Sequence, residues 1–146
     1  MAEIALAKPV IRGNSDVVEN FKFNGTLAEA IVAVGKAAKL IDADTVGVYD
    51  GTGTPYGVIG YAEIGGRVGV VRTAEKVGVV LDSALTIVPG SAVYITDTGT
   101  FTNVATDNTA INATFRDVAG DGINLKTGIK LTTAATAVYI DFPGGF

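Results

Sequence analysis

The stretch DADTVGVYDGTGTPYGVIGYAEIGGRVGVVRTAEKVGVVL, residues 42–81, decides the fold class of this chain. Its short apolar runs are rich in valine and isoleucine and are separated by Gly, Asp, Thr and Pro; they are residues 46–49, 58–59, 68–71 and 77–81. Runs of this length between turn residues are typical of strands. The central turn, residues 50–55, contains Asp-Gly and Gly-x-Gly steps, which favour positive φ. The stretch therefore predicts a meander of antiparallel strands.

A short phrase, Ala-Val-Tyr-Ile, occurs twice outside this centre, at residues 92–95 and 137–140, each time a few residues after a Leu-Thr pair. The repeat is compatible with two equivalent strands of one barrel or sandwich. After the first copy, residues 97–99 predict a hairpin turn that leads into a return strand. Residues 73–76 are predicted to link two strands. The polar segment 103–122 is either a long surface loop or a weak strand pair.

The single helix candidate is the segment 27–41, LAEAIVAVGKAAKLI. Its apolar residues recur at i, i+4, i+7 and i+11, and Thr26 with Glu29 has the spacing of a capping box. Val34 and Gly35 favour a strand or a loop instead. The segment is therefore either a short helix or an irregular apolar segment.

Length and composition indicate one domain that assembles with other chains. The chain has 146 residues, 48% of them hydrophobic, and a mean hydropathy of +0.40. No apolar run approaches the ~18 residues of a membrane-spanning helix. The excess apolar surface is therefore assigned to a core and to a subunit interface, because monomers seldom expose large apolar patches. We predict no membrane association.

Charge and the missing residue types exclude several functions. The net charge is −4 and the pI is about 4.7, which argues against general nucleic-acid binding. The chain has no cysteine and no histidine. It therefore lacks disulfides, thiolate metal sites, Cys nucleophiles and the commonest general base. We predict no cofactor and no metal site.

Residue patterns give little support to an enzyme. The glycines of segment 51–57 lack the spacing and the following helix of a phosphate loop. Asp42 and Asp44 lack the remaining ligands of an EF-hand. The carboxylates at Asp50, Glu63, Asp82 and Asp97 are expected at strand ends, as surface carboxylates usually are, and no nucleophile elbow is present. The five tyrosines are predicted to pack at the edge of the core. We predict that the protein is not an enzyme.

The sequence pattern separates the first 25 residues from the rest of the chain. Residues 1–25 are poorly periodic and are interpreted as an arm with a lead-in segment; residues 26–146 form the β-rich domain. Pro9 favours an extended Lys8, and residues 12–16 form a turn-like cluster. The arm is either a frayed terminus or a segment that adds a strand to a partner.

Two phrases resemble known phage proteins. Residues 44–52 followed by 57–60 look like the head-decoration proteins of tailed phages, of the lambda decoration type. The motif that carries this resemblance consists of Tyr49, Asp50, Gly51, Thr52, Gly57 and Val58. Residues 89–95 with 99–102 resemble phage capsid cement proteins. The chain is longer than the lambda-type proteins, mainly after Phe101.

The resemblance implies a small antiparallel β-barrel or sandwich, β-tulip-like, with an extended N-terminal arm and at most one short helix. It implies a homotrimer made in the host cytoplasm that joins the virion. The trimer would sit on the outer surface of the expanded head, at three-fold or quasi-three-fold sites, and clamp neighbouring major capsid protein subunits. By position, the capsid-binding arm would be Ala2, Glu3, Ile4, Ala5, Leu6, Ala7, Lys8, Pro9, Val10, Ile11 and Arg12.

Two other functions remain open from the residues alone. A carbohydrate- or surface-binding β-module of a phage fibre or adhesion protein would use the loop 103–114 and exposed tyrosines. A small hydrolase of unrecognised type would depend on Asp50, Glu63 or Asp82.

Overall fold

Strands make up most of the residues that the structure describes. The computed structural model describes residues 17–85, 87–116 and 135–146. Within these ranges the elements in chain order are β1 Val17–Phe23, α1 Leu27–Val32, β2 Ala37–Asp42, β3 Thr45–Val48, β4 Pro55–Ala62, β5 Arg67–Leu85, β6 Ala92–Ile95, β7 Phe101–Thr102, β8 Thr109–Phe115 and β9 Ala135–Phe142. The expected mainly β fold class, with a short helix, is confirmed. The predicted arm, residues 2–12, lies outside the described residues.

Five strands close into a small barrel in the order β1-β3-β2-β4-β5, with β5 pairing back to β1. The pairing of β1 with β3 is parallel and short, joining Lys22 to Thr45 and Phe23 to Val46. The other four pairings are antiparallel. Closure leaves few free strand edges, and the predicted β-barrel is confirmed.

A second group of strands extends from the far half of β5. This half pairs with β9 and, through Leu81, with Phe101 of β7. The sheet continues through β6 and β8 and returns to β9. The two Ala-Val-Tyr-Ile copies belong to β6 and β9, which flank β8 on its two sides. They are therefore strands of one sheet, an arrangement with which the repeat is compatible.

Strand β5 runs through both groups without a break, so the prediction of a linker at residues 73–76 is wrong. The register moves from Ala74 opposite Phe142 to Val77 opposite Ile140, so β5 has one extra residue. Lys76 takes a φ of 57°, and its backbone N–H donates to Asp141 Oδ1 at 2.7 Å. The segment is a β-bulge, which bends a strand without ending it.

The predicted simple meander is also wrong at one place. Strands β3 and β4 both pair with β2, one on each side of it, so the turn at residues 49–54 crosses the first half of β2, from Val48 opposite Ala38 to Pro55 opposite Lys39. Gly51 and Gly53 in this turn have the expected positive φ, 90° and 74°. Neighbouring strands are ~4.8 Å apart, and six residues are enough to span two such spacings. The turn therefore places β2 between β3 and β4, which follow one another in sequence.

The helix is short because its own sequence ends it. Glu29 N–H donates to Thr26 Oγ1 at 3.2 Å, and Thr26 N–H donates to Glu29 Oε1 at 3.0 Å, so the predicted capping box is present. Gly35 follows with a φ of 88°, a value that favours glycine. The chain then enters β2. The segment 27–41 therefore contains a short helix and, after residues 33–36, most of β2.

The core fills both groups of strands. Fully buried aliphatic residues such as Val46, Val58 and Ile59 occupy the barrel, and Phe101 and Phe142 lie in the second group. Each such side chain stabilises the fold by about 1.5–3 kcal/mol relative to exposure.

Candidate functional site

Tyr49 joins the two groups of strands. It lies directly after β3 and is 2% exposed. Its backbone N–H donates to Ala37 O at 2.9 Å, and its hydroxyl shares a 2.7 Å hydrogen bond with Thr109 Oγ1 of β8. These contacts give the first residue of the family-like motif a structural role.

Asp50 is held by its own neighbours. Its Oδ1 accepts hydrogen bonds from Lys39 Nζ at 2.8 Å, from Thr52 N–H at 3.0 Å and from Thr52 Oγ1 at 2.6 Å. The Lys39 ammonium, with the two Thr52 donors, holds the pKa of the Asp50 carboxyl well below its usual range. A carboxylate stabilised in this way is a weak base, so Asp50 is unsuited to general base chemistry.

The motif glycines are explained by close packing. A Cβ on Gly57 would clash with the backbone oxygen of Val71, which faces it from β5. A Cβ on Gly51 would lie 3.1 Å from Cβ of Asp97, in the β6–β7 turn. Val58 is fully buried. The motif residues therefore form one turn and one barrel strand, and each of them supports the fold.

The other carboxylates flagged in the sequence are also engaged by the chain. Asp42 Oδ1 accepts from Asp44 N–H at 2.9 Å, the largest cause of its lowered pKa. Asp44 forms ion pairs with Lys22 and Arg67 at 3.6 and 3.4 Å. Among the described residues, no group of three or more carboxylates is placed to hold a metal ion.

Two more of these carboxylates lie in different surroundings. Asp82 lies inside β5, so its expected place at a strand end is wrong. Its Oδ1 accepts from Thr100 Oγ1 at 3.1 Å. Glu63 directly follows β4, as expected, and accepts from Asn20 Nδ2 at 3.3 Å. The structure does not bring Asp50, Glu63 and Asp82 into one cluster of hydrogen bonds.

A cluster of charged and aromatic side chains crosses the barrel wall. Arg72 Nη1 donates to Glu19 Oε2 at 3.0 Å, and its guanidinium lies 3.5 Å over the ring of Tyr56. Tyr56 also donates to Glu19 Oε2, at 2.7 Å, which lowers the pKa of that carboxyl. Burial raises the pKa of the Tyr56 hydroxyl. The cluster pins β1, β4 and β5 together and is not prepared for proton transfer.

The tyrosines lie in strands or directly beside them and are buried or half-buried, as predicted. They are Tyr49, Tyr56, Tyr61, Tyr94 and Tyr139. A glycan module of the kind considered above would use exposed rings to stack on sugars, and these five tyrosines are not exposed.

A groove of about 610 Å³ lies beside α1. Its apolar floor and its charged rim are formed by Phe23, Asn24, Ala28, Glu29, Val32, Ala33, Lys36, Lys39, Ile41, Gly47, Val48 and Asp50. Val32 is 53% exposed and Ile41 is 46% exposed, a large value for aliphatic residues. The groove is the apolar recess that a partner could fill.

Sequence reasoning missed this groove for a local reason. The register of β2 against β3 shifts between Leu40 and Asp42, so Ile41 is an extra residue. The shift exposes both Leu40 and Ile41, whereas a regular strand would bury one of them. A bulge of this kind leaves no mark in the hydrophobic pattern. Of the exposed aliphatic residues in the groove, only Val32 of α1 could therefore have been identified from the sequence.

The charges on the groove rim differ in how far the chain satisfies them. Lys39 binds Asp50, and Glu29 binds Thr26 in the capping box. The ion pairs among the described residues do not include Lys36. The rim therefore offers one cation that can pair with an incoming carboxylate.

Within the ranges that the structure describes, no helix has the length and apolar character that crossing a membrane requires.

Comparisons with known proteins identify a fold. No protein-family model and no curated protein matches this chain. Among solved structures, the fold is similar to a chain of the structure described as "The capsid of Myoviridae Phage XM1". The match has a TM-score of 0.66 and 17% sequence identity, and it covers 100% of this chain and 96% of that chain. At this identity the comparison establishes a shared fold over the whole chain.

Proposed function

We propose that this protein is a structural component of a tailed-phage head. In this proposal it decorates the outer surface of the expanded icosahedral shell at three-fold or quasi-three-fold sites and clamps neighbouring major capsid protein subunits. The observation that carries the proposal is the full-length fold similarity to a chain of a phage capsid structure, with a TM-score of 0.66. The short motifs that resemble decoration proteins point the same way.

The surface chemistry of the described residues supports a structural role. The carboxylates of Asp50, Asp42 and Glu19 accept hydrogen bonds from other residues of the same chain. At the same time, large apolar side chains remain exposed; they are Val17, Val32, Leu40, Ile41, Ile64, Val88 and Val104. Exposed apolar side chains are suited to assembly, because burying them in an interface contributes ~25 cal/mol per Å² before ordering costs.

The proposed mechanism combines an arm with symmetry. The arm, residues 2–12, precedes β1 in sequence, and Val17 at the start of β1 is 51% exposed. An arm that leaves the domain at this point can add a strand to a coat subunit. A homotrimer would present three such arms, and each bound arm raises the effective concentration of the others.

The direct test mixes the purified protein with expanded, undecorated heads of the phage that encodes it, followed by cryo-electron microscopy. We expect density on three-fold or quasi-three-fold positions, and none on unexpanded heads. A protein that leaves expanded heads bare at saturating concentration would contradict the proposal.

Removing residues 1–12 tests the arm. We expect a protein with an unchanged thermal unfolding midpoint that no longer sediments with expanded heads, because all the described barrel strands lie at Val17 or later in the chain. Full-length protein is the control. Normal attachment of the truncated protein would show that another surface holds the shell.

A further inference from the structure

We propose that the groove beside α1 is a contact between two copies of this chain, in which the two α1 helices pack antiparallel about a two-fold axis. The axis would pass close to Val32, and Glu29 of each copy would face Lys36 of the other copy. The inference stands on the described residues alone and goes beyond the function proposed above.

The helix presents an aliphatic side chain to solvent beside a small one. Val32, the last residue of α1, is 53% exposed, and Ile41 of β2, which also lines the groove, is 46% exposed. Ala28 lies one turn before Val32 on the same side of the helix and is exposed as well. Because Ala28 has only a methyl group, a second helix can approach α1 closely and cover Val32. Removing these apolar surfaces from water is the source of free energy for the contact.

The charges on the two sides of Val32 have opposite signs. Glu29 lies three residues before Val32, Lys36 lies four residues after it, and all three residues line the groove. An antiparallel copy reverses this order, so each Glu29 carboxylate would meet the Lys36 ammonium of the other copy. An acid, an aliphatic residue and a base in this order are their own complement under a two-fold rotation, which is what a symmetric dimer contact requires.

Both charges are in place before the two copies meet. Glu29 Oε1 accepts hydrogen bonds from Thr26 N–H and from Thr26 Oγ1, both at 3.0 Å. These bonds lower the pKa of the Glu29 carboxyl, so it is ionised at neutral pH and held in position. Lys36 is half-buried and lies outside the ion pairs of the described residues. Exposed ion pairs contribute little affinity, so we assign the charges to orientation and the apolar burial to binding.

The rim of the groove is better suited to a second copy than the average surface of the chain. The net charge is −4, so two copies repel each other overall. On the rim, two acidic and two basic residues cancel; they are Glu29, Asp50, Lys36 and Lys39. The repulsion is therefore reduced at a place where aliphatic side chains are exposed.

We expect this contact to be weak. The groove lining is smaller than the ~20–30 residues that each partner contributes to a standard interface. The dimer should therefore form at high protein concentration and leave most of the surface free for other contacts. A weak contact is best detected by a covalent trap.

Disulfide crosslinking tests the contact with the protein alone. The chain has no cysteine, so Val32→Cys can form disulfides only between copies, and it places the sulfur close to the axis. Under mild oxidation we expect covalent dimers at a rate at least tenfold above that of Val104→Cys. Val104 is the matched control, because it is 48% exposed and lies outside the groove lining. Equal rates for the two variants would overturn the proposal.

The extent of crosslinking identifies the symmetry. About a two-fold axis each chain has one partner, so nearly all Val32→Cys chains should become dimers. About a three-fold axis only two of three cysteines can pair, and about a third of the chains would remain uncrosslinked. A plateau at that level would overturn the two-fold arrangement.

Cysteines away from the axis test the antiparallel direction. Ala28 and Lys36 lie four residues before and four residues after Val32. A mixture of Ala28→Cys and Lys36→Cys should therefore form mixed dimers several-fold faster than either variant crosslinks with itself. Self-crosslinking of Ala28→Cys as fast as that of the mixture would indicate parallel helices and would overturn the proposal.

Charge reversal tests the pairing of Glu29 with Lys36. Adding Lys36→Glu to Val32→Cys would bring two carboxylates together and should slow crosslinking several-fold at low salt, with a smaller effect at high salt. Lys22→Glu in the same background is the matched control, because it changes the net charge equally and Lys22 lies outside the groove lining. Circular dichroism checks that each variant is folded. Equal slowing by the two substitutions would overturn the assigned pairing.

Discussion

The turn at Asp50 and the groove beside α1 meet at Lys39 and Asp50, and they differ in how complete they are. In the turn, Lys39, Thr52 and Tyr49 have their polar groups bonded within the chain. In the groove, Val32 and Ile41 remain half exposed. The difference separates the part of the surface that maintains the fold from the part that is available for assembly. Most of the family-like motif falls in the first part, and Asp50 also lies on the groove rim.

Truncation of Tyr49 should destabilise the region around the Asp50 turn. We expect Tyr49→Ala to lower the free energy of unfolding by about 3–5 kcal/mol, the usual cost of removing a buried aromatic side chain. Tyr49→Phe should cost about 1 kcal/mol, because only the bond to Thr109 is lost. Urea unfolding measures both. Ile41→Ala is the matched change in the groove, and its unfolding free energy should stay within about 0.5 kcal/mol of wild type. Equal losses at Tyr49 and Ile41 would contradict the distinction.

A methyl group at Gly57 should have the next largest effect. Its Cβ would clash with the Val71 backbone, so β4 and β5 must separate. We expect Gly57→Ala to lower the unfolding free energy by about 1–3 kcal/mol. In Gly144→Ala the added Cβ meets only Asn112 Nδ2, at 3.7 Å, and stability should not change. An unchanged melting temperature in Gly57→Ala would show that the barrel is looser than described.

Removal of the helix cap tests one wall of the groove. Thr26→Ala removes the acceptor for Glu29 N–H and should lower the unfolding free energy by about 1 kcal/mol. Thr26→Ser keeps the hydroxyl and should remain near wild type. Hydrogen exchange of the α1 amides should increase in Thr26→Ala alone. A uniform increase over the barrel would contradict a local role for the cap.

Acid should weaken the Asp50 turn by a smaller amount. The folded-state pKa of Asp50 is lowered, so its contribution is present above the unfolded pKa of about 3.9 and is lost as pH falls through the folded value. We expect wild type and Asp50→Asn to differ in unfolding free energy at pH 6 and to converge as pH falls below about 4. Lys39→Gln should weaken this pH dependence, because it removes the cation. A constant difference between wild type and Asp50→Asn from pH 6 to pH 2 would contradict the assignment.

Local signals predicted much of the fold and part of the motif. The valine-rich runs, the glycines of the 50–55 turn and the Thr26–Glu29 capping box each act over a few residues, and each appears in the structure as expected. Such features depend on neighbouring φ, ψ angles and caps, which a short stretch of sequence controls. The same signals could not rank Tyr49 above the other tyrosines, since its partner Thr109 lies sixty residues away.

The sequence by itself determined a β-rich, acidic chain without cysteine or histidine, with strands at the valine-rich runs of residues 42–81. The tertiary structure alone decided that β5 continues past Lys76, that β2 inserts between β3 and β4, and that Ile41 faces a groove. These outcomes depend on which strands pair and in what register. Pairing is a long-range choice made by burial of both faces at once, and the order of residues along a single strand does not encode it.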